Sequence, residues 1–179
     1  MRIFKYILLL IVAMASCHPL PDGSDIDNIV QYDSVYGTAD IQWHKQYYPQ
    51  LDRQGFSIDL LSEGLSFDST NHIVGTGVNL YFSDIFMPIS ERKLLEGTYR
   101  MDTTANALTF LPYQYFEGGN ITGCYMLDIQ ENKIQRIVGF TNGEFTITSL
   151  GDDIHMDISL YSADSTCYHA TYQGPALYR

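Results

Sequence analysis

From about Ile29 onward the chain alternates apolar and polar residues in short runs, and glycine, asparagine, aspartate or proline interrupts them about every ten residues. A period of two is the signature of a strand, whose successive side chains point to opposite faces. Phe56-Ser57-Ile58-Asp59-Leu60 alternates strictly, and Val74, Val78, Leu80 and Phe82 continue the pattern around Gly75 and Gly77, which mark a bulge. Further runs lie at 97–101, 107–111, 121–129, 134–141, 144–149, 154–161 and 166–172. Residues 90–95 are the one stretch with a helical aspect, two turns at most. About nine strands and no long 3.6-residue period predict an all-β domain, a single antiparallel β-sandwich or β-barrel.

Within that series Asn142-Gly143 has the form of a two-residue type I′ hairpin turn, which needs positive φ at both positions. Such a turn sets Thr141 against Glu144, Phe140 against Phe145 and Val138 against Ile147. Apolar then meets apolar, and a slip of one residue would reverse every face. The turn at 150–153 brings Phe145 and Ile147 onto Ile154, Met156 and Ile158, giving a C-terminal meander.

Ahead of the strands, residues 1–17 read MRIFKYILLLIVAMASC. A short positive start at Arg2 and Lys5, a brief apolar run and a small residue before the cut form a secretory signal too short to span a bilayer. Met14-Ala15-Ser16-Cys17 resembles a bacterial lipobox, so residues 1–16 are expected to be removed and Cys17 to carry the lipid. Residues 17–28, rich in Pro, Gly, Asp and Ser, form a lipidated flexible tether, and 29–179 form the domain. His18 follows the cysteine where some bacteria use aspartate for inner-membrane retention. The expected location is therefore the outer membrane, with its periplasmic and cell-surface faces both open.

The signal holds two basic residues and no acidic ones, so the mature chain carries 8 Lys and Arg against 21 Asp and Glu, a formal charge of −13. That field repels nucleic acid and anionic headgroups, leaving the lipid at Cys17 as the route to the membrane. Cys124 and Cys167 fall on opposite-parity positions from the apolar faces of their runs and are expected to be unbridged.

Leu94-Leu95-Glu96-Gly97-Thr98-Tyr99, the closing meander with its Tyr172-Gln173-Gly174-Pro175 end and the lipobox together resemble a large group of short lipoproteins from Bacteroides-type bacteria. The resemblance covers most of the mature chain and implies an all-β, envelope-anchored domain. The function of that group is largely unassigned, and no catalytic residues carry over from it.

Three constellations bear on chemistry. With a three-residue loop at 162–164, Asp157 falls opposite His169 with His155 on the same face, a ligand set suited to zinc; solvated residues alternating with a core give the same pattern. Glu63, Glu117 and Glu144 are acids of the kind glycoside hydrolysis uses, but nothing in the sequence pairs them. No Gly-x-Ser-x-Gly elbow or phosphate-binding glycine loop occurs. The third is aromatic: Trp43, Tyr47, Tyr48, Tyr113 and Tyr115 lie outside the strand alternations beside Pro49 and Pro112, where rings either cap the core or meet a ligand. The expectation is a binding or accessory module for a neutral glycan or a protein partner, without cofactor and without enzymatic activity. Alternatives are a lipocalin-like barrel with an apolar ligand among Val78, Leu80 and Met156, a structural or fimbrial subunit, and a small hydrolase.

Overall fold

The computed structural model describes residues 34–48, 51–150 and 153–179. Cys17, where lipid attachment is expected, and the expected signal and tether lie outside these residues. The elements are β1 (Ser34–Tyr48), β2 (Arg53–Ser62), β3 (Leu65–Phe67), β4 (Ile73–Gly75), β5 (Gly77–Pro88), β6 (Gly97–Met101) and β7 (Thr109–Phe110). They continue with β8 (Gln114–Phe116), β9 (Asn120–Thr122), β10 (Cys124–Gln130), β11 (Lys133–Leu150), β12 (Asp153–Ser162) and β13 (Cys167–Tyr178). The described chain is all-β, with no α-helix; residues 90–95 form turn and loop.

Nine strands make one sheet in the order β10-β11-β12-β13-β1-β2-β5-β7-β6, and two ribbons, β3-β4 and β8-β9, stand apart. The pairing order returns on itself, because the second edge of β5 hydrogen-bonds β10 over Gly77 to Phe82. The sheet is mixed rather than purely antiparallel. β1 runs parallel to β13, and β6 runs parallel to β7. β10 to β13 form the expected C-terminal meander, each antiparallel to the next.

The expected hairpin at Asn142-Gly143 does not form. β11 passes straight through both residues, which pair with Tyr161 and Leu160 of β12. Only Gly143 has positive φ (140°), and the ladder shifts register between Phe140 and Asn142. The reason lies in the length of β11. Its first half pairs with β10 up to Gly139; beyond that its free edge is taken by β6, at Glu144 to Ile147. A bulge with glycine lets the strand bend where it changes partners. The two-residue turn with positive φ sits instead at Glu131 and Asn132, joining β10 to β11 through the Gln130–Lys133 pair. The faces survive this change, because Phe145 still opposes Ile158 and Ile147 opposes Met156.

The interior holds a buried aromatic and aliphatic cluster. Phe145 stacks on Tyr99 at 4.6 Å and meets Phe82 and Phe110 at 4.9 and 5.1 Å. Leu80, Met126, Ile147, Met156 and Ile158 are buried in the same cluster. Cys124 and Cys167 are both fully buried, which corrects their assignment to a polar face; Cys124 and Met126 point inward, and Tyr125, Leu127 and Ile129 point outward under a second apolar cluster. Period-two reasoning misassigned them because β10 is covered on both sides. Cys124 carries a free thiol, so it is not bridged to Cys167; the expectation that both are unbridged holds for Cys124 alone, because Cys167 is disulfide-bonded.

The motifs behind the lipoprotein resemblance have local structural work. The Tyr99 hydroxyl donates to the Leu95 carbonyl at 2.8 Å and accepts from the Leu95 amide at 2.9 Å, closing the loop before β6. The Tyr172 hydroxyl donates to the Pro175 carbonyl at 2.7 Å, across a space at Gly174 that a Cβ would crowd.

Candidate functional site

The β3-β4 ribbon is the element that makes a site. After Ser62 the chain turns at Gly64 (φ 94°) and doubles back over the outer face of β2, β5 and β10. Gly75 lies so close to Gly64 that a Cβ there would stand 2.0 Å from the Gly64 carbonyl oxygen, which explains the glycine. The ribbon's base is tied to the β10-β11 turn, since the Asn132 amide donates to the Gly75 carbonyl and the Asn132 side chain accepts from the Gly75 amide. Its tip is held by Arg179, which donates to Asn71 Oδ1 at 2.7 Å and lies 5.4 Å from the Phe67 ring centre. Leu65 of the ribbon packs with Leu61, Leu127 and Ile129 of the sheet.

Between ribbon and sheet lies a pocket of about 390 Å³. Phe67, Ile73, Leu127, Ile129 and Ile134 give it apolar walls; Gln42, Asn71, His72 and Asn132 supply polar groups, and Asp59 supplies its acid. The volume falls within the range of small-ligand sites. At the rim Ile134 is 57% exposed, and Ile137, which faces Leu127 across the ladder, is 43% exposed.

Asp59 stands opposite Asp40 across the β1-β2 ladder, an arrangement of like charges that is unfavourable in isolation. Asp40 is fully buried and lies 3.2 Å from Arg179 Nε, an ion pair by distance, although neither of its carboxylate oxygens receives an aligned hydrogen bond. Burial raises its carboxyl pKa and the Arg179 charge opposes the rise. Asp59 is 7% exposed and accepts one hydrogen bond from Asn79 Nδ2 at 3.0 Å. Burial pushes its carboxyl up to about 6; the Asn79 bond pulls the other way and the Asp40 charge adds to the rise. Because Asp40 does not line the pocket, a molecule there meets one carboxylate, not the pair that glycoside hydrolysis requires.

The residues singled out in the sequence fare unevenly. Trp43 and the backbone of Tyr47 and Tyr48 lie within β1, not in a loop, because β1 continues to pair with β2 as far as Tyr48–Arg53. Trp43 packs against the core and donates from Nε1 to Gln54 Oε1 at 2.8 Å, with the Arg92 guanidinium 4.3 Å from its ring centre. The side chains of Tyr47 and Tyr48 lie outside the described residues. Tyr113 is half-buried, covering Gly139 and meeting Tyr125 edge-on at 6.4 Å. Tyr115 is 66% exposed on the β8-β9 ribbon, followed by the exposed Phe116. Of the three whose side chains are described, Tyr115 alone is exposed.

His155, Asp157 and His169 do not assemble as expected either. The loop after β12 is longer than three residues, so His169 faces Ser159, and Thr171 faces Asp157. His155 Nε2 lies 3.1 Å from Asp157 Oδ2, and His169 Nδ1 lies 3.1 Å from Ser159 Oγ. Among the described residues no group of three His, Cys, Asp or Glu side chains is placed to hold a metal. Glu63, Glu117 and Glu144 are exposed on separate elements, Glu144 pairing with Arg100 at 3.3 Å.

Sequence reasoning missed Asp59 and Asp40. Alternation places Asp59 on the polar face of β2, and nothing local signals that the ribbon starting at Leu65 covers that face. Protein-family models, curated proteins and solved structures all give no match to this chain.

Proposed function

We propose that this protein is a lipid-anchored binding module of the bacterial outer membrane, tethered through Cys17, whose partner is a neutral glycan or a protein segment. The binding site in this reading is the pocket under the β3-β4 ribbon together with its apolar rim. The observation that carries it is the exposure of Ile134 and Ile137 beside a 390 Å³ pocket with apolar walls. Exposed branched aliphatic side chains bordering a concavity mark a contact surface more often than isolated apolar residues do. Tyr113, just ahead of the ribbon that bears the exposed Tyr115 and Phe116, covers Gly139 of β11.

An interior ligand of the lipocalin kind has less support, since Leu80 and Met156 sit in a packed aromatic and aliphatic cluster. The test is a binding screen of the detergent-solubilised protein against neutral oligosaccharides and envelope protein extracts, with Ile134→Asp alongside. Binding that this variant weakens at least about tenfold, the effect of a charge in an apolar contact, supports the reading. Partners bound equally by both proteins would place the site elsewhere.

A further inference from the structure

We infer that the pocket receives a primary alkylammonium group, the side chain of a lysine on a partner protein, with Asp59 as its counter-ion. The inference rests on the pocket being the binding site and selects a protein segment over a neutral glycan.

Two carboxylates face each other on adjacent strands, and among the described residues one cation, Arg179, lies at ion-pair distance from them. Arg179 meets Asp40 from the β13 side and is itself committed to Asn71 and the Phe67 ring. Among the described residues Asp59 has no cation at ion-pair distance, and its one hydrogen bond comes from a neutral amide. A buried carboxylate in that position calls for a proton or a positive charge. Unlike Asp40, it lies on the wall of a pocket that opens to solvent.

The rest of the pocket matches a polymethylene stem better than a sugar ring. Phe67, Leu127, Ile129 and Ile134 offer apolar contact along the approach to Asp59, which suits the methylenes of lysine. A sugar would need hydrogen-bond partners around its whole ring, and two of the polar wall groups are already committed, Asn71 to Arg179 and Asn132 to Gly75. Gln42 lies diagonal to Asp59 across the ladder, through its pair with Ser57, and its amide oxygen gives an ammonium a second acceptor. The net negative charge of the chain attracts cations to the protein.

The test is calorimetry and methyl NMR on the detergent-solubilised full chain at about pH 8, with n-butylammonium against its neutral isostere n-butanol. Nα-acetyl-lysine methylamide and glucosamine follow as models of the two natural sources of an amine. The ammonium should bind at least about tenfold tighter than the alcohol, the margin of a charge-assisted over a neutral hydrogen bond. It should shift the methyls of Leu127, Ile129 and Ile134, and Asp59→Asn should erase the preference. Ile134→Lys, at an exposed rim position that tolerates change, should compete with its own ammonium and weaken binding, and Ile134→Leu should not.

Equal affinity for alcohol and ammonium, or a preference that survives Asp59→Asn, overturns the inference while leaving the site intact. Tighter binding of glucosamine than of the lysine amide overturns the assignment to lysine. If no probe, charged or neutral, moves those methyls, the pocket is not the binding site and both readings fall.

Discussion

Arg179 reaches back over the edge of β1 to stand with Nε 3.2 Å from the fully buried carboxylate of Asp40, while its Nη1 donates to Asn71 at the tip of the ribbon. One side chain thus neutralises a charge in the wall of the sheet and fastens the flap that covers the neighbouring acid. Breaking a buried pair from one side costs about 3–5 kcal/mol. The Arg179 side chain is about half exposed, so solvent reduces the expected loss for Arg179→Gln to on the order of 1–2 kcal/mol. Combining it with Asp40→Asn should recover most of that loss in denaturant melts. Two losses that simply add would show that the pair is not coupled.

The raised pKa of Asp59 gives a pH dependence of known sign. Its folded value of about 6 lies above the ordinary 3.8, so between these values the folded state binds more protons than the unfolded state. Stability from this group is therefore present below about pH 4 and declines as pH rises through about 6. Asp59→Asn should stabilise the protein at pH 7 by on the order of 2 kcal/mol and leave it unchanged near pH 4. Melts of both proteins at the two pH values check this, and a variant less stable at pH 7 would contradict it.

Tyr113 lies over Gly139, where an added Cβ would come within 2.3 Å of the ring. Gly139→Ala should push the ring off the sheet and cost about 1–3 kcal/mol, as overpacking does. In the Tyr113→Ala background the same change should be close to neutral. A double-mutant cycle without coupling would refute the contact.

Ile147 is buried against Met156, and Thr146 on the opposite face meets Thr98 with 3.0 Å between hydroxyls. Ile147→Ala should cost about 2–5 kcal/mol through the cavity it leaves. Thr146→Ala removes one partly exposed hydrogen bond and should cost about 1 kcal/mol or less. Equal losses would contradict the face assignment.

Lipid attachment is tested by Cys17→Ala followed by cell fractionation. The variant should leave the detergent-extractable membrane fraction and become soluble. A variant that stays membrane-bound like the native protein would refute the lipobox reading.

The faces of the strands were legible in the sequence because period two is a local property. Phe56, Ile58 and Leu60, or Phe145 and Ile147, take the same side whatever their neighbours are. The pairing of strands was not local. Asn142-Gly143 has ideal turn chemistry, yet β11 runs through it, because β6 supplies a second partner to the strand's edge and the gain from continuing outweighs a turn. Burial on the outer face was equally hidden. Alternation leaves Asp59 in water and gives Tyr125 and Leu127 to the core face in place of Cys124 and Met126; only the β3-β4 ribbon folding back makes the second apolar cluster and the pocket in which they lie. The acid of the candidate site thus depends on a contact between segments whose residues carry no sign of one another. Alternation determined which residues share a face, and the tertiary fold alone decided which of those faces meet water.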